Sequence, residues 1–221
     1  LGLTYKYKWN NQINLYGQFV LDEFSLGDIK KSDNSWKNKY GYQLGIKYYN
    51  AFRVSDLLLQ LEYNHVRPYV YSHSAPLTNY GHNNQSIGHQ WGGNFKELIA
   101  IARYHKGRYF ADAKVTMGTR GLDFDASENN FNYGGNIYKD YDENRPFDTG
   151  VKVGQGNKTA VFIADFQGGY LVNPATNLKI FGSYMYRSFD PTKNTVSTFS
   201  ESTNWLTLGL RADVFNWYFD Y

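Results

Sequence analysis

The chain of 221 residues contains no cysteine, which excludes a disulfide framework and any thiolate metal centre. It also lacks any run approaching ~18 consecutive apolar residues, so no transmembrane helix is expected. Helical periodicity is nearly absent. The net charge of +3 is too small to point to nucleic acid, and no nucleic-acid partner is expected. No Gly-x-Ser-x-Gly elbow occurs, and Ser86 beside His89 has no identifiable acid partner, so the chain is read as non-catalytic and free of cofactors. No signal peptide precedes Leu1 and no Met opens the chain, which reads as a mature or partial sequence beginning inside a strand.

What the chain has in abundance is aromatic residues, 19% of the total, carried mostly by 21 Tyr. Tyr and Trp suit surfaces with one apolar and one wet side, such as membrane interfaces and sugar-binding faces. The final stretch is the most telling. Leu206, Leu208, Leu210, Ala212 and Val214 alternate with Thr207, Gly209, Arg211 and Asp213, and Phe215, Trp217, Phe219 and Tyr221 close the chain. Termini are usually frayed and polar, whereas the closing strand of an outer-membrane barrel ends in an aromatic belt. Period-2 alternation predicts nine strands, at 1–9, 13–21, 40–48, 57–63, 95–105, 109–117, 160–171, 178–187 and 204–221, the fifth with the weakest pattern. Each has about the length that a tilted strand needs to cross a bilayer.

The connections sort by length. Short turns at 10–11, 50–56, 106–107 and 173–177 alternate with long loops at 25–39, 70–94, 123–158 and 190–203. A soluble sandwich has no reason to do this, whereas a membrane barrel has tight periplasmic turns and long external loops. The expected fold is therefore all-β, a transmembrane antiparallel up-and-down barrel of outer-membrane type. Nine is an odd count, and an open edge in hydrocarbon leaves backbone groups unpaired. The chain is accordingly read as the C-terminal part of one larger barrel domain. Lys47, Glu62, Asp112, Lys114, Arg187 and Arg211, with Lys6, Lys8, Asp165 and Asp213, fall on the polar side of the alternation and are expected to face the lumen.

Residues 63–104 carry a more specific pattern: Val-Arg-Pro-Tyr at 66–69, Tyr-Ser-His at 71–73, Asn-Tyr-Gly-His-Asn-Asn-Gln-Ser-Ile-Gly-His at 79–89, and Gly-Gly-Asn-Phe-Lys-Glu-Leu at 92–98. With supporting stretches at 108–124 and 173–178, this resembles the Wzi-type capsule-assembly outer-membrane proteins, and most closely their Bacteroidetes relatives, the RemB-type gliding-motility proteins. The resemblance spans about 57–190. It implies a large outer-membrane barrel that holds capsular polysaccharide as a surface lectin, or one that serves gliding motility; a channel or accessory subunit of a secretion or motility complex is the alternative. It also implies the bacterial outer membrane as the location. The bilayer with its lipopolysaccharide, surface polysaccharide and other machinery subunits are the implied partners.

The same loop has sugar-binding chemistry in its own residues. Tyr69, Tyr71, Tyr80 and Trp91 offer ring faces to the C–H faces of a pyranose. Asn79, Asn83, Asn84, Gln85, His82 and His89 offer the paired donors and acceptors that hydroxyls require. Arg67, Tyr71, His82, Asn84, Gln85, His89 and Trp91 are the expected ligand-binding set. The structural reading of this loop is a plug folded into the lumen, its polar groups bonded to one another, and it is compatible with a ligand-contacting surface. The spacings of nine and seven between His73, His82 and His89 match no zinc signature, and the acidic residues of 123–158 lack an EF-hand pattern, so no metal is expected.

Overall fold

Among the described residues, nine long strands run up and down in sequence order through one antiparallel sheet. The computed structural model describes residues 1–212. Its elements are β1 (Gly2–Lys8), β2 (Ile13–Glu23), helix α1 (Leu26–Lys31), β3 (Lys39–Tyr49), β4 (Leu57–Val66), a small hairpin of β5 (Gly81–His82) and β6 (Gln85–Ser86), then β7 (Phe95–Lys106), β8 (Tyr109–Leu122), β9 (Asn157–Asn173), β10 (Leu178–Pro191) and β11 (Glu201–Arg211). The sheet order is β1-β2-β3-β4-β7-β8-β9-β10-β11. Each of the nine expected strands is found among the described residues, the last as far as Arg211, and most are longer than their alternation suggested. β7 is continuous despite its weak pattern. Ile99 and Ile101 take places on its polar face, opposite Glu62 and Gln60, which blurs the period. The aromatic cluster expected at Phe215, Trp217, Phe219 and Tyr221, with Asp213 and Val214, lies outside the described residues.

Local chemistry explains the tight end. Asn10 accepts two backbone N–H groups, from Gln12 and Ile13 at 2.8 Å each, and so closes the first turn. Gly107, at φ +61°, supplies the left-handed residue of the β7–β8 hairpin. Within the sheet, aromatic rings lie over glycines on neighbouring strands. The Tyr16 ring covers Gly45, where a Cβ would come within 2.1 Å of it, so no larger residue fits.

The described residues form an open sheet rather than a closed barrel: β1 pairs with β2 alone and β11 with β10 alone. β1 and β11 run the same way, so these two edges could not meet as an antiparallel seam. Register sorts the side chains into two faces. Lys47, Glu62, Asp112, Lys114, Arg187 and Arg211 share one face with Lys6, Lys8 and Asp165. Some are paired there, as Arg103 Nε lies 3.9 Å from Asp112 and Lys47 sits over the Tyr16 ring. The opposite face is apolar and exposed; Leu61, Leu206 and Leu208 are 46%, 75% and 81% accessible.

The core lies at the long-loop end rather than in the middle of the sheet. The polar face carries one cluster, Val66, Val70, Trp91, Phe95 and Val161, and the loops carry a second, Trp36, Tyr69 and Val151. These loops form a single layer. Residues 33–36 and 148–151 pair through backbone bonds, including Val151 N to Asn34 O at 3.0 Å. Lys39, fully buried, pairs with Glu23 at 2.7 Å and lies over the Tyr141 ring. The short helix α1, which strand periodicity did not foreshadow, is capped by Ser25 Oγ accepting from Asp28 N and stops at Ser32 in the left-handed conformation.

Candidate functional site

A cleft of about 620 Å³ separates the loop between β4 and β7 from the polar face of β1–β4. Its floor is a rung of the sheet. Register aligns Thr4, Gln18, Gln43, Asn64 and Glu97 side by side across five strands. Its far wall is the loop, with Tyr71, His73, Thr78, Tyr80, Ile87 and His89. The rings of Tyr71 and Tyr80 stack at 5.6 Å with an interplanar angle of 27°. Gly88 lets Tyr71 lie flat, since a Cβ there would sit 2.7 Å from its ring. Two backbone bonds hold the arrangement, Tyr80 N to Tyr71 O and Ile87 N to Tyr80 O. Burial, the nearby Tyr80 and the Asp22 carboxylate together push the Tyr71 phenol above its ordinary pKa, so Tyr71 stays neutral at physiological pH.

A chain of hydrogen bonds ties the floor to the loop. Gln60 donates to Tyr16 Oη at 2.7 Å, and Tyr16 donates to Glu62 at 2.6 Å. Asn64 Nδ2 donates to both Glu62 and Glu97 at 2.9 Å. His89 Nε2 lies 2.6 Å from Glu97, and His89 Nδ1 accepts the Trp91 N–H at 3.1 Å. Because Nδ1 is an acceptor, the proton of neutral His89 must sit on Nε2 and point at the Glu97 carboxylate. This is a satisfied network, and it fixes the position of His89 on the cleft wall.

The seven expected ligand-binding residues separate into three places. Tyr71 and His89 line the cleft. Arg67 and Trp91 stand behind it, each 8% exposed. Arg67 donates to the carbonyls of Asn34, Ser35 and Val151, and so clamps three loops together. Trp91 packs on Gly118 and Phe95. His82, Asn84 and Gln85 occupy the exposed β5–β6 hairpin, whose Asn83-Asn84 turn has φ of 48° and 58°. Gln18, Gln43, Asn64 and Asp22 enter the site without having been singled out. Gln18 and Gln43 fall on the polar side of their strands' alternation, but no sequence signal says which rung of that face the loop covers.

Among the described residues no group of three or more His, Asp or Glu side chains is placed to hold a metal ion. Comparison of the chain with protein-family models, curated proteins and solved structures finds no match.

Proposed function

We propose that this chain belongs to a bacterial outer-membrane β-barrel that binds surface polysaccharide without catalysing a reaction on it. The observation that carries the binding role is the cleft: two stacked tyrosines facing a rung of amide side chains. A saccharide presents C–H faces and hydroxyl edges, and this arrangement offers a partner to each. The volume lies within the range of about 300–1,000 Å³ usual for small-ligand sites, room for a short stretch of glycan. Plug and binding surface are then one structure, since the loop that covers the polar face also forms the wall of the cleft.

Three features support the membrane placement. All long loops leave one end of the sheet and all short turns the other. The exposed face is apolar along its middle; among the described strands its charged side chains, Lys96, Lys106, Lys158 and Asp190, stand within two residues of strand ends. Tyr7, Tyr48, Tyr104, Tyr109 and Tyr170 gather toward the turn end of that face, as an interfacial girdle requires. The resemblance of residues 63–104 to capsule-assembly proteins agrees with both parts of the reading.

Cells carrying Tyr71→Ala together with Tyr80→Ala are expected to shed polysaccharide into the medium while the protein keeps the heat-modifiable mobility of a folded barrel. Unchanged glycan retention with a folded barrel would remove the binding role and leave the channel or accessory-subunit reading.

A further inference from the structure

The chemistry of the cleft wall says more than that it fits a sugar. We infer that the cleft selects neutral or amino-bearing sugar units and rejects acidic ones. This deepens the proposed polysaccharide binding and rests on it.

Among the described lining residues there is no Lys or Arg. The carboxylate present is Asp22, which accepts the Tyr71 N–H at 3.3 Å and stands 4.0 Å from His73 Nε2. Two further carboxylates accept from Asn64: Glu97 beside it on the rung, and Glu62 two residues along β4 on the same face. Nearby cations are all committed elsewhere. Lys39 pairs with Glu23 and lies over Tyr141, and Arg67 is bonded to three backbone carbonyls. Arg120 sits by the Trp91 ring and donates to its carbonyl, while Lys96 projects from the opposite face of the sheet. A uronate or phosphate entering here would lose water, meet no Lys or Arg side chain, and face Asp22 at short range.

Neutral sugars meet the reverse situation. The side chains of Gln18 and Gln43 form no hydrogen bond to the protein among the described residues, and each offers a carbonyl acceptor and an amide donor pair. A hydroxyl, which is donor and acceptor at once, satisfies such a group completely; a carboxylate, acceptor only, can use only its N–H half. An ammonium in place of a hydroxyl finds Asp22. The stacked tyrosines are indifferent to charge, so they supply contact area and leave discrimination to the floor and Asp22.

The test is titration calorimetry on the full-length protein in detergent, with oligomers of dextran, chitosan and polygalacturonate of matched length. Dextran or chitosan oligomers should bind, and the galacturonate oligomer should bind at least about tenfold more weakly, a factor that one like-charge contact near a protein surface readily supplies. Tyr71→Ala should abolish the neutral binding. Gln43→Lys, which places an ammonium on the floor and leaves the tyrosines intact, should bring galacturonate affinity up by about tenfold or more. Galacturonate binding as tight as dextran, still sensitive to Tyr71→Ala, would overturn the charge selection and leave polysaccharide binding standing. Failure of every oligomer to bind the folded protein would overturn both.

Discussion

Trp91 is the residue whose replacement most sharply separates wall from contact. Its ring is 8% exposed, lies 5.5 Å from the Phe95 ring, and occupies the space that a side chain on Gly118 would fill. Its backbone does separate work: the Trp91 N–H bonds to His89 and its carbonyl accepts from Arg120 at 3.3 Å. Trp91→Ala therefore deletes the ring and spares both bonds. Removing a buried Trp side chain costs about 3–5 kcal/mol, combining lost transfer energy with the cavity left behind. The strand ladders do not pass through residue 91, so that cost falls on the docking of the 67–94 loop and not on the sheet. At about 1.4 kcal/mol per tenfold, the undocked population should rise by roughly a hundredfold or more. Limited proteolysis in detergent reads this directly, because cleavage tracks the open population when reclosing is fast. Cleavage within 70–90 should accelerate by that factor while heat-modifiable mobility stays unchanged. A Trp91→Ala protein with wild-type cleavage rates would refute the docking argument and return Trp91 to the role of an exposed contact.

Three other outcomes are expected. Asn94 is fully buried, donates to the carbonyls of Gly121, Tyr133 and Gln155, and accepts from Gly154 N. Asn94→Asp keeps the left-handed backbone but loses the donors, and at about 1–3 kcal/mol per unsatisfied buried group it should strongly raise hydrogen exchange in 121–135 and 154–157. Burial holds the Tyr69 phenol above its ordinary value of 10.0, so the folded state favours the neutral form. That stability is complete below the unfolded value and is lost as pH rises past about 10, so alkaline titration should loosen the loop layer, and Tyr69→Phe should move the transition upward. Because the chain has no cysteine, single labels report cleanly: a probe at Leu61→Cys or Leu208→Cys should be quenched by brominated lipid, and one at Lys47→Cys by an aqueous quencher. Equal aqueous quenching on both faces would refute the membrane placement.

The strands and the division into polar and apolar faces were legible from alternation, because a period of two is a local property that tolerates no register error, and their up-and-down order from the sorting of the connections. Loop sorting was legible for the same reason, since strand ends mark loop lengths. Three things were decided only in three dimensions. Residues that look alike in the sequence diverge: Tyr71 reaches the cleft, Trp91 and Arg67 serve as its backing, and His82, Asn84 and Gln85 stand on an exposed hairpin. The floor of the cleft comes from Gln18, Gln43 and Asn64, which lie 25 and 21 residues apart along the chain and meet by strand register. The packing of residues 33–36 against 148–151 joins loops more than a hundred positions apart. Alternation assigns each side chain to a face, but only the folded loops determine which rung they cover, because loop packing depends on long-range backbone bonds and buried hubs such as Asn94 that leave no periodic trace.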